Sequence, residues 1–165
     1  MNKKVSLTLK FLASSIISFI LFYFILNIFS DEFNVLATQT SSMILNSIGI
    51  TNQAVDNLIY ARNSVALISG LCSGLLEISL LSAFIISSFE LKLKTRIKWM
   101  IGAVITILVL NPIRISISIL FLGNNQVFAV NHDLLFRIMT FSTIVVFYGL
   151  FVSFAKKNKK KTINN

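Results

Sequence analysis

The chain is short of the residues that most protein chemistry relies on. Only 13% of its 165 residues are charged, where soluble domains carry roughly a quarter. One cysteine leaves no internal disulfide, so any special use of it is as a free thiol. One histidine excludes a bis-His haem or a multi-His metal cage within a single chain. Disordered, collagen-like, coiled-coil and secreted disulfide-scaffold classes are all excluded by the same composition. Acidic residues number six against fifteen basic ones, a net charge of +9. In a soluble domain that excess would point to nucleic acid.

What is present is apolar. Hydrophobic residues make up 55% of the chain, with fifteen Phe and a mean hydropathy of +0.82. A soluble globule of this size has no interior large enough for them. Four stretches nearly free of charge, 11–30, 65–88, 100–122 and 138–155, match the roughly 30 Å of a hydrocarbon core. The first follows Lys3, Lys4 and Lys10 but is longer than a signal peptide's apolar region and ends without a small-x-small site, so it reads as an uncleaved anchor. The expected fold is therefore an all-α integral membrane protein, a single domain over 1–165 with about four transmembrane helices.

In a membrane protein the basic excess is a topology signal. Lys3, Lys4 and Lys10 precede the first span. Lys92, Lys94, Arg96 and Lys98 join the second to the third, and Lys156, Lys157, Lys159, Lys160 and Lys161 follow the fourth. These twelve of the fifteen basic residues fall on one face, which the positive-inside rule makes cytoplasmic, with both termini on it. The outer segments hold Asp31, Glu32, Asp56 and Asp133, with Arg62 and the boundary residue Arg137 as their basic residues. The Lys-rich tail reads as a topology determinant touching anionic membrane lipid rather than a nucleic-acid site. Between the first two spans, Leu36, Met43, Ile44 and Ile48 recur at near-helical spacing and predict an amphipathic helix in the outer interface. Gln53–Ala66 alternates weakly around Asp56-Asn57, a candidate small hairpin.

Three features do not belong in hydrocarbon, where a charged side chain at mid-bilayer costs about 2.5 to 3.5 kcal/mol on the insertion scale. They are Glu77 in the second span, Asn111-Pro112-Ile113-Arg114 in the third, and Cys72 between Gly70 and Gly74. With both spans helical, Cys72 lies roughly 10 Å and Arg114 roughly 12 Å below the outer end of its span. His132, in the outer loop Gly123–Phe136 just before the fourth span, can dip to the same depth. On the same helical geometry Glu77 lies about 140° around from Cys72 and roughly 7.5 Å deeper, where it pairs with Arg114 or holds the bundle. Gly70-x-x-x-Gly74 forms a small-residue face for a neighbouring helix, and Pro112 kinks the third span beside Arg114.

A thiol needs a nearby cation to ionise. Arg114 or protonated His132 supplies one, a guanidinium stabilises the oxyanion of amide attack, and an imidazole protonates the leaving amine. Cys72, Arg114 and His132 thus make a complete set for acyl transfer through a thioester. Two rival readings remain. In a small ion-coupled carrier Glu77 is the coupling acid, and in a non-catalytic membrane assembly subunit the polar residues only join helices.

Leu71-Cys72-Ser73-Gly74-Leu75-Leu76-Glu77, Asn111-Pro112-Ile113-Arg114 and Asn131-His132-Asp133 resemble, in order and spacing, the Cys-Ser/Thr-Gly, Asn-x-x-Arg and His motifs of the exosortase/archaeosortase family. The resemblance runs from about Met43 to Phe154 and looks like the family's core without added helices. It implies a membrane-embedded cysteine transpeptidase, a thiol hydrolase of peptide bonds. Such an enzyme cuts exported proteins near a C-terminal sorting signal of motif, transmembrane helix and basic cluster, then passes the acyl group to a surface acceptor. Its catalytic residues map onto Cys72, Arg114 and His132, with Ser73, Gly74, Glu77 and Asn111 in support. It implies neither a cofactor nor a metal, and it places the active site toward the outer face of the cell membrane.

Overall fold

The computed structural model describes residues 3–61, 64–70, 72–89, 91–120, 138–155 and 157. In chain order the elements are α1 (Lys3–Asn27), α2 (Ser30–Ser47), β1 (Asn52–Val55), β2 (Leu58–Ala61), β3 (Ser64–Leu67), α3 (Leu75–Ile86), α4 (Leu93–Leu120) and α5 (Ile138–Ala155). α1, α4 and α5 are long and apolar enough to cross a bilayer. The chain is a multi-pass membrane protein.

α1 contains neither Gly nor Pro, and its large side chains, among them Ile17 and Phe24, are exposed on the outside of the bundle. Lipid covers such a surface where water would not. Turn bonds from the Ile28 and Phe29 amides to the Ile25 and Leu26 carbonyls end the helix. α2 then starts with Asp31 and Glu32 in its first turn, where negative charge suits the helix N-terminus. The sequence's apolar stripe on α2 faces outward, with Leu36, Met43 and Ile48 exposed. Its buried face is small and polar instead: Asn34, Ala37, Thr38, Ser41, Ser42 and Leu45. Small side chains let α2 approach α4 closely, and the Ser41 and Ser116 hydroxyls both donate to the Pro112 carbonyl, at 3.3 and 2.8 Å. α4 continues as helix through Pro112.

The candidate hairpin is one strand larger than expected. β1, β2 and β3 form an antiparallel sheet in that order, with Val55 opposite Leu58 and Tyr60 opposite Val65. Asp56 takes a positive φ of 51° in the first turn, a conformation its short polar side chain tolerates. One sheet face, with Ile59, Ala61 and Ile68, is buried on Ala37 and Leu45 of α2 and Ile115 and Ile119 of α4. The other face leaves Tyr60, Val65 and Leu67 exposed.

The expected second span, 65–88, is not one helix. β3 occupies its start, a turn through Cys72 and Gly74 follows, and only Leu75–Ile86 is helical. At 12 residues α3 is about 18 Å long. Hydropathy rises alike over an apolar strand, a turn and a helix, so composition alone merges them. Phe11 near the start of α1 stacks on Phe84 near the end of α3 (6.4 Å), and Phe84 meets Tyr148 of α5 (5.6 Å). Trp99 near the start of α4 packs on Phe147, Phe151 and Phe154 of α5. The beginnings of α1 and α4 and the ends of α3 and α5 therefore gather at one end of the molecule. α3 runs opposite to α1.

Candidate functional site

Cys72 sits in the turn ahead of α3 rather than on a transmembrane helix. Its amide donates to the Ser69 carbonyl at 2.8 Å, and the Ser69 hydroxyl lies 3.7 Å from its Sγ. Ser73 is buried and donates its hydroxyl to the Gly70 carbonyl at 2.9 Å, which tightens the same turn. Gly74 caps α3 with φ +86°, and a Cβ there would fall 2.9 Å from Ile107 Cγ2. Both facts demand glycine. Gly70 lies in the turn with open space around it, so the expected small-xxx-small helix face is absent, and Gly74 alone sets the close approach of α4. The helical geometry relating Cys72 to Glu77 fails for the same reason.

α4 answers this turn from the other side. The Asn111 amide donates to the Cys72 carbonyl at 2.7 Å, and Arg114 donates to the same oxygen at 3.3 Å. The second hydrogen on that Arg114 nitrogen goes to Asn111 Oδ1. The other terminal nitrogen bonds Glu77 Oε1 at 2.9 Å and Thr140 Oγ1 at 2.8 Å, and Thr140 in turn donates to Glu77 Oε1 at 2.9 Å. Glu77 and Arg114 are 3% and 6% exposed, so their charges meet away from solvent. There a paired arrangement is the tolerable one. Glu77 Oε2 has no hydrogen-bond partner among the described residues. Glu77, Asn111, Arg114, Thr140 and Thr143 line a cavity of about 20 Å³, room for one water.

The structure thus brings together Cys72, Ser73, Gly74, Glu77, Asn111 and Arg114. His132, with Asn131, Asp133 and Arg137, lies outside the described residues, as does Arg62. Two members of the cluster carried no sequence signal. Thr140 is a hydroxyl in an apolar span, which is usually bonded to its own helix, and Ser69 is a turn serine. Among the described residues no group of three or more His, Cys, Asp or Glu is placed to hold a metal.

A buried acid–guanidinium–amide network closing on the backbone of the one cysteine, inside a multi-pass apolar bundle, is a membrane protein built around a polar site. The chain belongs to the transmembrane exosortase family (Exosortase_EpsH), whose model matches residues 3–152. No curated protein and no solved structure matches the chain.

Proposed function

We propose that the protein is a cysteine transpeptidase that cleaves the C-terminal sorting signals of exported proteins. One observation carries the reading beyond family membership: both polar ends of Asn111-x-x-Arg114 converge on the carbonyl of Cys72. That clamp fixes the turn that carries the thiol, and α3 begins three residues later with the partial positive charge of a helix N-terminus.

In the proposed reaction the Cys72 thiolate attacks the scissile carbonyl, forming a C–S bond and an oxyanion. The four N–H hydrogens on the two terminal nitrogens of Arg114 are all engaged, so an oxyanion drawn to a terminal nitrogen competes for one. The hydrogen on the Cys72 carbonyl, at 3.3 Å, is held more weakly than those on Glu77 and Thr140, at 2.9 and 2.8 Å. Collapse breaks the C–N bond, and the amine leaves with a proton from His132. A nucleophile on the surface acceptor then attacks the thioester, loses its proton to His132 and restores the thiolate. No electron transfer is involved. Substrates present a motif, a transmembrane helix and a basic cluster, and the site opens toward the outer face with both termini cytoplasmic.

The test is substrate trapping. Wild type mixed with a tailed substrate should yield a hydroxylamine-sensitive adduct on Cys72, while Cys72→Ala and Cys72→Ser remain abundant in the membrane and process nothing. Loss of His132 should slow processing about 10²- to 10⁴-fold, as for a general acid. Processing by Cys72→Ala at the wild-type rate would reduce the thiol to packing and end the assignment.

A further inference from the structure

The small sheet has two edges, and the one at β1 is packed beside α2. On the β1 side the Asn52 side chain accepts from the Ser42 hydroxyl at 2.6 Å and donates to Asn46 Oδ1 at 2.9 Å, which ties that edge to α2. On the β3 side the pairing itself shows which backbone groups are spent. The Ile68 amide donates to the Asn57 carbonyl at 2.8 Å, continuing the register in which Ala66 faces Ile59 and Ser64 faces Ala61. In an antiparallel ladder hydrogen-bonded pairs alternate with non-bonded ones. Ser64, Ala66 and Ile68 therefore point their N–H and C=O groups at β2. Val65 and Leu67 point theirs away from the sheet, and among the described residues neither makes a backbone bond beyond the strand ladder. Their side chains are 55% and 62% exposed. The strand, Ser-Val-Ala-Leu, carries none of the Lys or Pro that commonly blunts an edge.

We infer that the free edge of β3 is the substrate dock: the extended segment just ahead of the substrate's transmembrane helix adds to the sheet as a fourth strand. This rests on the transpeptidase reading and deepens it. A scissile amide inside a helix is hydrogen-bonded to its own chain, so the cleaved segment must be extended, and an extended segment needs partners for its backbone groups. β3 offers two N–H and two C=O groups on the side where a strand would lie. Its last residue is five positions before Cys72, and Ala66 of β3 and Cys72 pack on the same apolar cluster. A strand docked here runs alongside the chain that leads to the thiol. Alternate side chains of the guest fall on alternate sheet faces, so residue preference in the substrate should repeat every second position.

The experiment removes one outward N–H at a time. Proline at an outward-facing position deletes a donor to the guest but none to β2. The probe is a secreted reporter ending in the motif, helix and basic cluster of an exported protein from the same genome. Leu67→Pro and Val65→Pro should each lower kcat/KM about three- to tenfold, through KM, as expected for one lost hydrogen bond. Leu67→Val, which keeps its N–H, should lose less than Leu67→Pro. Iodoacetamide labelling of Cys72 at the wild-type rate certifies that the fold survives. Should the proline variants fail to accumulate, synthetic tails N-methylated at successive residues carry the test, and losses must recur with a period of two. Unchanged kcat/KM, or a flat N-methylation profile, overturns the docking strand while leaving the Cys72 assignment intact. A changed oligomer size on native gels with unchanged processing would instead assign the edge to a second copy of the chain. Failure of Cys72→Ala to abolish processing would remove the enzyme reading itself.

Discussion

Arg114 places both hydrogens of each terminal nitrogen within the protein, on Glu77, Thr140, Asn111 and the Cys72 carbonyl. A lysine has one compact ammonium and cannot span four acceptors on three helices and a turn. Arg114→Lys should therefore lower processing severely despite retaining the charge, with a fall in kcat measured on membrane fractions of equal protein abundance. Glu77→Gln is milder, because an amide oxygen still accepts from Arg114 and Thr140; measurable processing should remain. Complete loss at normal abundance would favour the carrier role for Glu77. Gly74→Ala combines a left-handed backbone with a Cβ inside the radius of Ile107. It should cost about 2 kcal/mol or more, read as a lower Tm in detergent. The reactive types at this site were legible as residues: a lone Cys, an Arg and a Glu are conspicuous in apolar runs. Their exact partnerships were not, because Asn111 and Arg114 grip the Cys72 backbone, and a carbonyl leaves no mark in a sequence.

Among the elements, α3 is where sequence and structure part. Val65 to Ser88 contains no strong breaker except Gly70 and Gly74, and hydropathy cannot separate a strand and a turn from the helix that follows. The glycines were the available signal. Gly74 marks the helix start by its positive φ, not by a packing stripe. α4 and α5 were easier, since each apolar run is helical over its described residues and 138–155 coincides with α5. Thr140 shows what a correct helix still conceals. It lies in the first turn of α5, and its hydroxyl links that helix to the acid on α3 and the guanidinium on α4. Thr140→Val keeps the shape and deletes the link, so processing should fall several-fold with little loss of protein. Thr140→Ser should recover most of it. Equal rates for Val and Ser, measured with the same tailed reporter, would make the hydroxyl incidental.

For the whole molecule, the aromatic contacts put the start of α1 and the end of α3 at one level. Lys92 and Lys94 follow α3, so the first two of the basic segments that the sequence assigns to one face also meet at one end of the fold. On the proposed orientation, reporter fusions at Lys94 and at the C-terminus should read cytoplasmic, and one at Asn125 should read external. A cytoplasmic signal at Asn125 would separate His132 from Cys72 and sink the three-residue site. The return crossing on this plan is made by a helix of about 18 Å, short of a hydrocarbon core of about 30 Å.

That shortfall has a consequence for the backbone around the thiol. No residue of α3 is exposed, so protein rather than acyl chains surrounds the short helix. Non-helical backbone persists at such depth only where protein or water satisfies it, and Asn111 and Arg114 do so for Cys72. The turn that bears the thiol is thus held by protein bonds rather than by lipid. On the transpeptidase reading, a soluble acceptor would meet the bond at a turn and a strand instead of behind a full-length helix.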